Sequence, residues 1–287
     1  MTVTPSDSNS VQPEQSGNES WWTSNTMSYD WNDKVALGRY SPEWFDEIDR
    51  RFLHGARLFT GEPNPFPALM GLDQLRGKRV LEIGCGMGMH SELLHRAGAN
   101  LTSIDLSATS IEATQARFKL KELEGDIRKM DAEALEFRNE EFDFVWSWGV
   151  IHHSESTARA LSEIARVLKP VGEAGIMVYS LDGMPAYVTM MRSYALAFWR
   201  GCDLDQLLWH SSDGYTARHY SRDSWREAVR PYFDVDMMRL CGQDADVVPV
   251  PRQIRPMLLK LLSRERQVAL AGRRGSMLFS RIKKRAR

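Results

Sequence analysis

The chain has 287 residues, 43% of them hydrophobic and 26% charged, with a formal net charge of −1. This is a globular composition, long enough for one large domain with an added cap, and its near-neutral charge gives no general attraction for nucleic acid, so a nucleic-acid substrate is not expected. Cys85, Cys202 and Cys241 are too widely spaced for a disulfide framework or a Cys-x-x-Cys metal pair. No apolar run reaches the roughly 18 residues of a membrane span, and no basic start leads into an apolar stretch. No secretory signal is therefore expected, and the protein is expected in the cytoplasm.

Residues 1–20 are rich in Ser, Thr, Pro, Gln, Asn and Glu. Such a segment buries too little surface to offset its ordering entropy, and a disordered tail is expected. Residues 21–76 are expected to form an aromatic, helical cap. In it Ser41-Pro42-Glu43 is a helix start, and Trp44, Phe45, Ile48 and Phe52 follow at helical spacing. Residues 77–287 are expected to form the main domain, with a cap insertion at 181–225. Strands are expected at Arg79–Ile83, Leu101–Leu106, Ile127–Met130, Phe142–Trp148 and Gly175–Ser180. A helix is expected from His90 to Ala97, and Ser107 is a candidate cap for another. Leu161, Ile164, Ala165 and Leu168 mark a further helix face. Phe233–Leu240 and Ser276–Ile282 read as two closing strands, with one helix over 251–270 between them. Alternating strands and helices argue for an α/β fold with a parallel sheet and right-handed crossovers.

Val80-Leu81-Glu82-Ile83-Gly84-Cys85-Gly86-Met87-Gly88 carries the chemistry. A strand runs into a glycine turn and then a helix. Glycine lets the backbone turn tightly and approach a ligand, and the helix start offers free N–H groups to a carboxylate or phosphate. The dinucleotide fingerprint is G-x-G-x-x-G, whereas this turn is G-x-G-x-G with Met89 where that third glycine falls, which disfavours a nicotinamide cofactor. Asp105 ends the second strand, where a carboxylate accepts hydrogen bonds from a ribose diol. The competing reading is a cap for the next helix. Asp131-Ala132 follows the third strand.

These elements resemble the Rossmann-like, class I methyltransferases that use S-adenosylmethionine. Trp148-Gly149-Val150-Ile151-His152-His153 after the fourth strand and Leu168-Lys169-Pro170-Val171-Gly172 before the fifth resemble the methyltransferase type 11, ubiquinone-biosynthesis-like branch. Val171 departs from the branch's Lys-Pro-Gly-Gly turn. The resemblance covers about residues 78–180. It implies a Rossmann-like seven-stranded, mostly parallel sheet flanked by helices. It also implies S-adenosylmethionine as cofactor, bound by Glu82, Gly84, Gly86, Gly88, Asp105, Leu106, Asp131, Ala132 and Ser147. Asp131 takes the adenine amino group in that scheme; the competing reading is a solvated loop acid.

Methyl transfer from a sulfonium is an in-line displacement that needs positioning, water exclusion and, for some acceptors, a base. His152, His153 and His219 are the candidate catalytic bases, with a structural role as the competing reading for the adjacent pair. No metal site is expected. Seven of nine tryptophans (Trp21, Trp22, Trp31, Trp44, Trp199, Trp209, Trp225) lie in residues 21–70 and 181–225, joined by Tyr29, Tyr187, Tyr194 and Tyr220. Such rings suit a lid over an apolar or aromatic acceptor, or a core between cap and sheet. The Asn/Asp-Pro-Pro-Tyr/Phe turn of DNA-base methyltransferases and the paired glutamates of protein arginine methyltransferases are absent. The expected reaction is therefore O-methylation of a small molecule. The alternatives are a peptide or protein acceptor, or a non-catalytic module that only binds the cofactor. Residues 251–287 carry twelve Lys and Arg and one acid, Glu265; they read as a solvated face or as a patch for an anionic membrane or acidic partner.

Overall fold

The computed structural model describes residues 14–29, 35–183, 188, 191 and 214–285. The apolar run before the glycines forms β1 (Arg79–Ile83), central in the sheet. Parallel neighbours follow: β2 (Asn100–Asp105), β3 (Asp126–Lys129), β4 (Phe142–Trp148) and β5 (Leu168–Ser180). Then come β6 (His219–Tyr220), β7 (Phe233–Cys241) and β8 (Met277–Lys284). The order is β3-β2-β1-β4-β5-β8-β7, with β6 paired in parallel to the end of β5. The sheet therefore has eight strands where seven were expected, the extra one being the two-residue pairing of His219 and Tyr220 with Tyr179 and Ser180. β8 runs antiparallel between β5 and β7, which closes the sheet with the expected hairpin.

Side chains alternate across the strands and sort into two cores. Leu81, Ile83, Val145, Ile176 and Val178 face one way. Val80, Phe144, Trp146 and Met177 face the other. The first face is covered by α6 (Thr157–Val167), whose Ala160, Leu161, Ile164 and Ala165 are buried and whose start is capped by Ser156. A fully buried Leu or Ile contributes about 1.5–3 kcal/mol, so this stripe fixes the helix more strongly than propensity does. Trp225, expected in the cap, instead sits fully buried on this face in α7 (Arg222–Val229), donating its indole N–H to Ser280 Oγ at 2.9 Å.

The second face carries α2 (Pro42–Ala56), α3 (Phe66–Met70), α4 (Met89–Arg96) and α5 (Ala108–Leu120). Ser41 caps α2 and Ser107 caps α5, each accepting a first-turn N–H. Arg117 on α5 is 1% exposed. It grips Asp49 of α2 with two hydrogen bonds of 2.6 and 2.7 Å, reaches Glu92 of α4 at 3.2 Å and donates to the Met87 carbonyl at 2.8 Å. One guanidinium thus ties two helices to the glycine turn.

Three local expectations need correction. Residues 14–20 are not a disordered tail but belong to α1 (Glu14–Ser24), which docks on the domain with Asn18 buried; residues 1–13 lie outside the described residues. The single helix over 251–270 is two, α9 (Arg255–Leu259) and α10 (Arg264–Arg274), because Ser263 caps the second and interrupts the first; both follow the short α8 (Asp244–Val247). The turn before the fifth strand is drawn into β5, where Val171 stands 88% exposed. Its side chain meets only solvent, so the departure from glycine is accommodated. Trp31, Tyr187, Tyr194, Trp199, Cys202 and Trp209 lie outside the described residues. Among the described residues, no helix is long and apolar enough to cross a membrane.

Candidate active site

A cavity of about 1030 Å³ opens at the C-terminal ends of β1 to β5. In a parallel sheet this is where crossing loops diverge and ligands bind. Its floor is the glycine turn. Gly84 has φ +83°, and a Cβ there would stand 2.1 Å from Val150 Cγ2. Gly86 has φ +54°, and nothing lies within 4 Å of where its Cβ would be. At the first position glycine is required by crowding; at the second the backbone is bared to the cavity. Gly88 begins α4 with no side-chain cap, which leaves first-turn N–H groups available, but the residue itself packs on Thr114 and Arg117 behind the lining.

Asp105 lines the cavity and ties two turns together. Its Oδ2 accepts the Gly86 N–H at 3.0 Å and its Oδ1 the Ser107 N–H at 2.8 Å. Ser107, not Asp105, caps α5, so the carboxylate keeps its second lone pairs. Burial pushes its pKa up, against the pull of these backbone donors. Leu106, Asp131 and Ala132 also line the cavity. Asp131 Oδ1 accepts the Glu133 N–H at 2.8 Å and the Gln15 side-chain amide at 2.7 Å. Gln15 Oε1 in turn accepts the Glu155 N–H at 3.2 Å. α1 also accepts Ser107 Oγ on the Trp22 carbonyl and Thr109 Oγ1 on the Thr23 carbonyl. The N-terminal helix is therefore a wall of the site, which the sequence did not suggest.

Besides Gly88, two expected cofactor residues fall outside the lining, Glu82 and Ser147. Glu82 is 1% exposed and turned beneath the turn, bonded by Ser91 and, at 2.8 Å, by Ser103. Burial raises its pKa to about 7. Ser147 alternates onto the face away from Trp146 and Trp148 and is fully buried. Ser147 is turned away by strand alternation, whereas Glu82, on the face of Trp146, is held beneath the turn by Ser91 and Ser103.

The histidines separate clearly. His152 is fully buried, with neither ring nitrogen hydrogen-bonded, and its ring centroid lies 4.1 Å from those of His153 and Tyr179. Burial holds its pKa well below the usual value; it packs and does not line the cavity. His153 does line it. Its Nδ1 lies 2.6 Å from the Thr216 carbonyl oxygen. A carbonyl can only accept, so Nδ1 carries the proton and Nε2 the lone pair. Burial pushes the His153 pKa down to about 4. His219 also lines the cavity beside Tyr179, with centroids 5.4 Å apart, and burial lowers its pKa.

His90, at the start of α4, is a lining residue that the sequence did not suggest. The Trp146 indole N–H donates to its Nδ1 at 3.1 Å. An indole cannot accept, so the neutral ring must carry its proton on Nε2, which has no partner. Burial pushes its pKa down to about 3. Phe52, Trp148, Met177 and Met277 give the lining an apolar part, and Glu47, Asp49, Arg50, Arg51 and Arg252 a charged one. Trp22 and Tyr29 join the lining as expected of a cap, whereas Trp44 belongs to the core.

Residues 81–176 match the family described as Methyltransferase domain. Over these residues the chain is similar to the class I methyltransferases that use S-adenosylmethionine. The chain is 32% identical over 148 residues to a ubiquinone biosynthesis O-methyltransferase of Rhodopseudomonas palustris, covering 47% of this chain and 56% of that protein. It is 28% identical over 175 residues to the protein of the same name from Dinoroseobacter shibae, covering 55% and 66%. The chain thus spans just over half the length of the first of these relatives. Among solved structures, an S-adenosylmethionine-dependent methyltransferase from Mesorhizobium loti superposes with a TM-score of 0.52 at 19% identity, covering 76% of this chain and 97% of that one. A [4+2]-cyclase superposes with a TM-score of 0.53 at 17% identity, covering 77% and 80%. The fold is shared across both, so activity has to be argued from the site.

Proposed function

We propose that the protein transfers a methyl group from S-adenosylmethionine to an oxygen of a small apolar or aromatic acceptor. One observation carries this reading: a single cavity is lined both by the glycine turn and Asp105 and by His153, Tyr179 and His219. The names of the curated relatives support the same chemistry.

The residues present fit the cofactor. Gly86 bares its backbone where a Cβ would fill the ligand space, Asp105 has lone pairs left for a ribose diol, and Asp131, also in the lining, is the acid we assign to the adenine amino group. The uncapped start of α4 suits the cofactor's carboxylate. When bound, the cofactor supplies an electrophilic methyl on a sulfonium. The protein's own work is to hold the acceptor oxygen in line, exclude water and receive a proton. Positioning of this kind can supply roughly 7–11 kcal/mol of a barrier. The aromatic part of the lining, with Trp148 and Phe52, gives an apolar acceptor a dry, rigid seat. His153 Nε2 is the group we assign to take the acceptor hydroxyl proton, with His219 as the alternative base. The acceptor cap would come from the segment before β1 and from residues 181–225.

A thermal-shift titration tests the cofactor, with S-adenosylhomocysteine as ligand and NADH as control. At 100 times its dissociation constant a ligand stabilises by about 2.7 kcal/mol. A shift with the adenosyl ligand alone is expected, and a shift with NADH alone overturns the reading. Methyl transfer to a panel of phenols and other hydroxylated aromatics then tests the acceptor. Transfer only to peptides, or cofactor binding with no transfer, selects the peptide enzyme or the silent module instead.

A further inference from the structure

The stretch from Arg252 to Arg274 plays no part in the chemistry above, yet its surface is unusual for this molecule. Three large apolar side chains stand in solvent: Ile254 at 45%, Met257 at 62% and Leu261 at 76% exposure. Ile254 is the N-cap of α9, Met257 lies within it and Leu261 in the turn that follows. Leu259, between them, is buried, so the segment is seated on the domain while these three side chains are left outside. The same stretch carries Arg252, Lys260, Arg264, Arg266 and Arg273, all exposed, with Arg255 and Arg274 partly so; Arg255 and Arg264 also donate to backbone carbonyls.

Among the described residues none of these seven cations makes an ion pair. Glu265 is the single acid in 251–287. Elsewhere Arg50, Arg57, Arg79, Arg96, Arg128 and Arg166 sit against carboxylates, and Lys78, Lys119, Arg138 and Arg222 are exposed with no ion pair among the described residues; what sets this stretch apart is seven such cations within 23 residues. Arg252 also lines the cavity, as does Met277.

We propose that this stretch docks the protein on an anionic phospholipid surface, with Ile254, Met257 and Leu261 entering the interface and its cations facing the headgroups. Unpaired cations alone would suit any polyanion. Exposed apolar side chains among those cations favour lipid, because headgroups and acyl chains satisfy both at once, whereas a nucleic-acid backbone offers nothing to Leu261. Arg252 belongs to both this stretch and the cavity lining, so docking here would bring the cavity towards the bilayer, a source of the apolar acceptor that the proposed function requires.

The test is flotation of the full chain with vesicles of phosphatidylcholine alone or with about one-third phosphatidylglycerol. Binding to the anionic vesicles, weakening as salt shortens the screening length, is expected. Each cation that reaches the surface contributes roughly fivefold. Met257→Ser/Leu261→Ser removes the apolar contacts without changing charge and is expected to cut binding about tenfold or more. The stabilisation of that variant by S-adenosylhomocysteine should match the parent, which shows that it is folded. Vesicle binding needs no turnover, so it stands or falls separately from the proposed reaction. Lack of binding to anionic vesicles overturns the proposal. So does binding that survives Met257→Ser/Leu261→Ser, or that is matched by an oligonucleotide, since a lipid interface requires the apolar side chains.

Discussion

Asp105→Ala separates two roles that the structure superimposes on one carboxylate. In the folded protein this group accepts the Gly86 and Ser107 N–H groups at 3.0 and 2.8 Å. Hydrogen bonds to a charged group contribute about 1.5–3 kcal/mol each. Both donors border the cavity, so water replaces part of what is lost, and about 3 kcal/mol in total is the reasonable figure. For a chain of this size that lowers the melting temperature by about 6–10 °C. If the same carboxylate also accepts the ribose diol, its removal costs a similar free energy in cofactor affinity, about 100-fold in Kd. Asp105→Asn keeps one acceptor oxygen for one of the two donors and should fall between the parent and the alanine variant in stability. The assay is calorimetric titration with S-adenosylhomocysteine, well below the variant's own melting temperature so that only folded protein is titrated. A Kd within about threefold of the parent's, alongside the expected loss of stability, would refute the ribose assignment and leave Asp105 as a strut of the glycine turn.

Arg117→Met leaves Asp49 and Glu92 without their buried partner and should cost about 3 kcal/mol in urea unfolding, part of which Asp49→Asn in the same chain should recover; a change under about 1 kcal/mol would mean the guanidinium is dispensable. Gln15→Ala removes the bonds to Asp131 and Glu155; faster amide exchange over residues 14–24 with an unchanged sheet is expected, and uniform protection would show that α1 docks without this contact. For His153, the folded pKa of about 4 lies below the ordinary 6.5, so its contribution to stability is present above pH 6.5 and lost as pH falls towards 4. Between pH 7 and 5 the parent should therefore lose about 2 kcal/mol more than His153→Gln; equal losses would mean the ring is solvated.

What the sequence made legible was local. The glycine spacing after β1, the serine caps at Ser41 and Ser107, and the apolar stripe of α6 are signals within a few residues, and each sits in the structure where its chemistry predicts. Strand alternation also held, and it accounts for Ser147, whose side chain points away from the face of Trp146 and Trp148. Glu82 is instead drawn under the glycine turn by Ser91 and Ser103, partners its motif does not reveal. Long-range pairings were not legible. Gln15 belongs to a polar stretch with no apolar face; its helix is held by side-chain bonds to residues more than 100 positions away. Arg117 looks like any surface cation until α2, α4 and the turn close around it. The proton on His90 Nε2 follows only from α4 packing on the face of β4 that carries Trp146. The extra strand rests on a two-residue pairing, below what periodicity can register.

The depressed pKa values of His90, His152, His153 and His219 fit the proposed reaction better than basic residues would. A cavity meant to receive a sulfonium gains by holding its own imidazoles neutral, because a second cation nearby would oppose binding. His153 then starts with a free lone pair at Nε2, fixed by the Thr216 carbonyl on the far side of the ring. When the acceptor oxygen is methylated, its proton moves to that lone pair. One positive charge occupies the cavity before the transfer and one after it. Charge is displaced across the site and not created in it, which keeps the desolvation cost of the step low. The imidazolium so formed is a strong acid in this setting and gives its proton up once the site opens to water. Rate should accordingly be flat above pH 6.5 for an acceptor with an ordinary alcohol or phenol, since His153 is already deprotonated throughout that range.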